Sequence, residues 1–145
     1  MKTRNVARME TIMNKKDSFP GIGHVALSVR SLEVSRPWYQ RLIGADPVLD
    51  EPTDGGFHHT VFMIGSTLIG LHEHPTTARE DFTERRVGLD HVAFGCSDRS
   101  ALAAWADRLD GLGIDHGEIV DAHYGSGLSF RDPDGIALEF FAAPA

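Results

Sequence analysis

Two histidines stand in nearly the same phrase, His24 in "GIGHVALSV" at residues 21–29 and His91 in "GLDHVAFGC" at residues 88–96, an offset of 67 residues. Each is a polar residue inside an apolar, β-branched run. In "IALEFFA", Glu139 is a carboxylate in a similar setting, where a lone charge is costly to bury unless it is paired or coordinates a metal. At the same offset before it stands His72, in "LIGLHEH". Three imidazoles and one carboxylate suit a divalent transition metal, with Zn, Ni, Co, Mn and Fe all acceptable. Four such ligands on an octahedral ion leave two positions for substrate oxygens or water, which is what is needed to polarise a chelating carbonyl, stabilise an enediolate or bind dioxygen. Three would give a facial arrangement of two histidines and one carboxylate. His74 shares the face of His72 and is an alternative ligand, whereas Glu73 points away.

The elements that must position these residues follow from the same repeat. At the constant offset Trp38 matches Trp105, Arg41 matches Arg108, Leu42 matches Leu109, Gly44 matches Gly111, Ile69 matches Ile136 and Leu71 matches Leu138, with no gap. Two copies are too few for a stacked array, so the chain reads as two half-domains. Each half predicts strand, helix and three strands. "HVALSV" is the first strand, Ser31 is an N-cap, and Leu32, Trp38, Leu42 and Ile43 fall at helical spacing. Pro37 should kink or restart that helix. In the second half Leu102, Trp105, Leu109 and Leu112 mark one helix face, and Gly111 or Gly113 ends it. Strands are expected near 45–50, 57–64 and 67–74, and again near 117–121, 126–131 and 136–142. Gly65-Ser66 and "DPDG" at 132–135 supply the turns between the last two strands of each half. The fold class is therefore α+β, two βαβββ modules related by internal duplication, forming a curved mixed sheet around a metal site.

Side chains alternate along a strand. Val25, Leu27 and Val29 are uniformly apolar and belong to the helix-packed core, so His24 and, by repetition, His91 point into the cup of the sheet. Pseudo-twofold symmetry then gathers His24, His72, His91 and Glu139 on one side. Cys96 falls on the opposite face from His91, as a packed and inert thiol.

The chain has 145 residues, 41% hydrophobic and 24% charged, with a formal net charge of -7. That size and balance fit one globular domain with a sizeable core, and the negative charge argues against nucleic acid or an anionic membrane as partner. One cysteine allows no intrachain disulfide, no apolar run reaches membrane-spanning length, and no secretory leader is visible, so a cytoplasmic protein is expected. Residues 1–20 read as a flexible N-terminal extension. Residues 21–145 read as a single domain, with modules at about 21–74 and 88–142 and a linker at 73–87.

Of the remaining polar residues, one of His58 and His59 faces the cup. "DAHYGSG" at 121–127 sets His123 and Tyr124 beside two glycines, as a loop that could close over a ligand; His74, His123 and Tyr124 are thus candidate substrate contacts. Trp38 and Trp105 read as core.

The doubled "GHVAL" and "LDHVAF" strands, the "WYQRLIG" helix end and the "FRDPDGIALEFF" close resemble the glyoxalase, bleomycin-resistance protein and extradiol dioxygenase superfamily, the vicinal oxygen chelate proteins, over about residues 20–142. The resemblance implies metal ligands from the first and fourth strands of each module, hence His24, His72, His91 and Glu139, with Glu139 also a catalytic base. Many lyase and isomerase members carry a carboxylate where His72 stands. The implied function is a divalent-metal-dependent lyase or isomerase acting on a small molecule with vicinal oxygens through an enediolate. The alternatives are an Fe(II) extradiol-type dioxygenase and a non-catalytic drug- or metabolite-binding resistance protein. Family members commonly pair as homodimers, in some with a site shared between chains.

Overall fold

The computed structural model describes residues 19–145, so the extension expected at 1–20 lies, but for its last two residues, outside the described residues. Ten elements follow in order: β1 (His24–Ser28), α1 (Leu32–Ile43), β2 (Leu49–Pro52), β3 (His58–Ile64), β4 (Thr67–Glu73), β5 (Val92–Cys96), α2 (Arg99–Gly111), β6 (Val120–Ala122), β7 (Gly125–Arg131) and β8 (Ala137–Ala142). This is the expected α+β arrangement of two βαβββ modules. Each module forms its own four-stranded mixed sheet, in the orders β1-β4-β3-β2 and β5-β8-β7-β6. The first pair in each order is parallel and the other two are antiparallel.

Local chemistry accounts for the helices. Helix α1 runs through Pro37 as one continuous helix, so the proline does not restart it. A proline removes one backbone hydrogen bond, and here that loss is offset by the burial of Leu32, Tyr39 and Leu42 along one face. Ser31 sits at the N-cap but its hydroxyl makes no capping bond, whereas Asp98 caps α2 by accepting the Ala101 N–H at 2.9 Å. Gly44 ends α1 in the left-handed conformation (φ 76°), where a Cβ is disfavoured.

The sheets bury one face each. Val25, Leu27, Ile69, Leu71, Phe62 and Thr60 lie on the inner face of the first sheet, and Leu128, Phe130, Leu138, Phe140 and Ala142 on that of the second. These inner faces and both helices share one core. Trp38 of α1 lies 6.4 Å from the Phe130 ring, Phe130 stacks on Phe140 at 5.2 Å, and Phe140 stacks on Trp105 of α2 at 4.2 Å. This aromatic row crosses from one module to the other through their helix-bearing sides. Tyr39, wholly buried where the sequence pattern had favoured Trp38, donates its hydroxyl to Asp132 Oδ2 at 2.8 Å. Asp132 Oδ1 accepts the N–H groups of Asp134 and Ile136, which closes the turn before β8. Burial pushes the Tyr39 phenol well above its ordinary range, and the neighbouring carboxylate adds to this. Arg108 of α2 donates to the Leu42 carbonyl at 3.2 Å, a further tie between modules.

The repeat is not gap-free in space. Two residues, Gly65 and Ser66, join β3 to β4, whereas residues 132–136 join β7 to β8. Glu139 pairs with Ala93, two residues beyond His91. The residue in that relation to His24 is Gly70, the partner of Ala26; His72 pairs with Ser28, four residues beyond His24. The longer second turn shifts β8 along its sheet, so His72 and Glu139 match by sequence offset but not by rung.

Replacing Tyr39 by Phe leaves Asp132 Oδ2 buried without its inter-module donor. We expect a loss of about 2 kcal/mol, read as a lower urea midpoint with an unchanged m-value.

Candidate functional site

Because strand side chains alternate, the faces opposite the core carry the chemistry-bearing residues. On the first sheet this open face holds His24, Ala26 and Ser28 of β1, Leu68, Gly70 and His72 of β4, and His59, Val61 and Met63 of β3. On the second it holds Ala93 and Gly95 of β5, Ala137, Glu139 and Phe141 of β8, and Gly127, Ser129 and Arg131 of β7, with His91 immediately before β5. The expected face assignment of His24 thus agrees with the pairing, His91 precedes the paired strand and lines one pocket with Glu139, and Cys96 lies inward beside Ala142. Burial raises the Cys96 thiol above its ordinary range, with the Asp98 charge adding to it.

The modules meet through their helix-bearing sides, so the two open faces turn outward. His24 and His72 are carried by one face, and His91 and Glu139 by the other. Among the described residues, no three histidine, cysteine, aspartate or glutamate side chains of one chain gather closely enough to hold a metal. The convergence expected from pseudo-symmetry is therefore not made within a single chain. The reason is physical: the aromatic row and the Tyr39–Asp132 bond join the modules back to back rather than edge to edge.

The first face is rich in rings. Phe57 stacks on His72 at 4.6 Å and lies 4.8 Å from His74, and His59 stands 5.8 Å from His72. The His72 imidazole folds back over Gly70, with Nε2 3.4 Å from where a Cβ at that glycine would stand. Burial lowers the His72 pKa, and the neighbouring His59, His74 and His24 lower it further. Phe57 was not singled out from the sequence, and of the pair His58 and His59 the residue facing the cup is His59. The alternation that buries Thr60 and Phe62 is the signal that selects His59 over His58, which instead contacts Asp50 at 2.7 Å.

On the second face His91 Nδ1 lies 2.7 Å from Asp90 Oδ1. His24 has Gly23 in that position and lacks such a carboxylate. The Glu139 carboxylate lies over Gly127. His123 and Tyr124 form the two-residue turn between β6 and β7, because Ala122 pairs with Gly125; the expected closing loop is a tight hairpin. Tyr124 stacks above Phe141 at 6.5 Å.

Residues 21–140 match the family model of the Glyoxalase/Bleomycin resistance protein/Dioxygenase superfamily, and the chain belongs to that superfamily. It is 35% identical to a catechol-2,3-dioxygenase of Bacillus subtilis (strain 168), over 83% of this chain and 41% of that protein. It is 32% identical to the metallothiol transferase FosB of Shouchella clausii (strain KSM-K16), over 82% of this chain and 77% of that one. The chain spans 39% to 66% of the length of the dioxygenases it matches. The crystal structure of a glyoxylase/bleomycin resistance protein/dioxygenase domain from Frankia sp. EAN1pec is similar, with a TM-score of 0.78 and 30% identity over 88% of this chain and 94% of that one. Among the described residues no helix is long and apolar enough to cross a membrane.

The direction of the His72 shift gives a testable sign. A histidine whose folded pKa lies below its unfolded value of 6.5 keeps its stabilising effect above that pH. As pH falls through this range the unfolded chain takes up the proton first and the effect is lost. The stability difference between wild type and His72→Gln, measured by urea denaturation, should therefore shift against the wild type as pH drops from 7.5 towards 5, by about a few tenths of a kcal/mol.

Proposed function

We propose that this superfamily member is a divalent-metal-dependent enzyme acting on a small molecule with two adjacent oxygens, its site completed between two copies of the chain. The observation that carries this reading is the outward display of two donor pairs, His24 with His72 and His91 with Glu139, on sheets in which β1 and β5 each occupy an edge. Two donors hold a metal weakly, whereas a pair from each of two copies supplies a full set. A twofold arrangement of identical chains forms two such sites at once.

The donor types fit the group. Imidazole and carboxylate are ligands for first-row divalent ions, and all four side chains are at least partly exposed on the open faces. His24, His91 and Glu139 would form the facial set, with His72 beside it, because Gly70 rather than His72 occupies the rung equivalent to Glu139. When bound, the metal supplies Lewis acidity to a chelating substrate. His72, held neutral by its surroundings, accepts the proton of a substrate hydroxyl at Nε2. Phe57 and His59 on one side, and Phe141 and Tyr124 on the other, offer apolar ring surfaces to a planar substrate.

Those ring surfaces favour extradiol-type ring opening of an aromatic diol, in which both atoms of dioxygen enter the product as one carbon–carbon bond beside the diol breaks. The second reading, a lyase or isomerase that moves a proton through an enediolate, is favoured by His72 Nε2 reaching back over Gly70, which would make it a fourth ligand.

Metal content of protein purified without chelator separates the readings. Loss in Glu139→Ala with retention in His72→Ala, and iron as the ion, is expected for ring opening. Loss in both variants supports the four-ligand lyase or isomerase. No metal after reconstitution overturns both.

The shared site has its own test. Mixing a His24→Ala/His72→Ala chain with a His91→Ala/Glu139→Ala chain should restore about a quarter of wild-type activity, because half of the random pairs carry one intact site of two. A site contained in one chain would give no restoration.

A further inference from the structure

Glycine 127 lies in the middle of β7, on the open face and next to the rung that joins Ser129 to Glu139. Strand interiors disfavour glycine, which loses more conformational freedom on folding than any other residue and gives no side chain to pack. Backbone geometry does not demand it: Gly127 is not among the glycines with positive φ, in contrast to its neighbour Gly125 at 144°. At Gly125 a Cβ would stand 2.3 Å from the Phe141 ring and 2.5 Å from the Ala142 carbonyl oxygen, so that glycine serves the fold. At Gly127 the atoms that would be met belong to one residue: Glu139 Cδ at 3.1 Å and its two carboxylate oxygens at 3.2 and 3.4 Å. The carboxylate thus rests on bare backbone.

We propose that Gly127 is a positioning residue for Glu139, its missing side chain forming the seat that holds the carboxylate against the sheet at the height needed to share a metal ion with His91. This rests on the reading of Glu139 as a metal ligand. A methyl group at 127 would lift the carboxylate by a few tenths of an ångström. Ligand sets respond to such shifts: disturbing a group that orients a ligand typically costs tenfold to a hundredfold in metal affinity.

Gly127→Ala should keep or raise Tm, because alanine suits a strand better, yet bind Mn(II) at least about tenfold more weakly by titration calorimetry. Gly95→Ala is the control. That glycine is on the same face, and a Cβ there meets nothing within 4 Å, so its Mn(II) affinity should equal that of the wild type. In a Glu139→Ala background, Gly127→Ala should cause no further loss. Unchanged affinity in Gly127→Ala, or a loss that persists without the Glu139 carboxylate, overturns the proposal. If the wild type binds no Mn(II), the metal reading fails by itself, and metal-free crystal structures decide the seat: the Glu139 carboxylate displaced in Gly127→Ala supports it, and an unmoved carboxylate overturns it.

Discussion

The contact between the two modules, a buried phenol hydroxyl on a buried carboxylate beside a row of aromatic rings, governs the rest of the structure. Tyr39 and Asp132 lie on different modules and bond at 2.8 Å with Tyr39 fully buried. A buried polar pair of this kind contributes little when made and costs a good deal when broken. Its effect is orientational: it admits one way of stacking the modules. The Trp38–Phe130–Phe140–Trp105 row supplies the apolar area that makes the stack favourable. Once the helix-bearing sides meet, alternation along each strand sends His24 and Glu139 outward.

That constraint also explains which parts were legible in the sequence. The two βαβββ modules follow from a repeat that copies apolar spacing, and the faces of His24, His91, Cys96 and Glu139 follow from alternation within short strands. Both are local properties. The relation between modules is not local. Tyr39 matches Ala106 at the repeat offset, and Asp132 lies in a turn whose first-half counterpart, Gly65-Ser66, is shorter. The bond that orients the modules therefore uses the residues in which the two copies differ, and reading the copies against each other discards them.

The same divergence hid the register. An ungapped offset pairs His72 with Glu139, yet β4 and β8 are displaced by two residues relative to the strands that carry the histidines. Because strand periodicity is two, the displacement keeps His72 on the open face and so leaves no trace in the hydrophobic pattern. Only its height along the sheet changes, and with it the neighbours: Phe57, His59 and His74 replace the surroundings a ligand at position 70 would have. On the proposed reading, the imidazole at this height stands beside the ligand set and takes a proton instead of replacing a carboxylate on the metal.

On the proposed arrangement, the division of donors couples metal binding to assembly. Each open face alone carries two of the four proposed ligands, and an ion bound by two side chains keeps most of its hydration and little affinity. Bringing a first-module face of one copy against a second-module face of another converts two weak half-sites into one strong one, so the ion binds the pair in preference to the free chain. Preferential binding of that kind stabilises the bound state by mass action. The exposed apolar residues on these faces, Met63, Val120 and Tyr124 among them, supply contact area that depends on no metal. The ion then need not assemble the pair from nothing; it has to favour the one register in which His24, His91 and Glu139 meet over others that bury similar apolar area. Specificity of assembly and chemical competence would thus be selected by the same ligands.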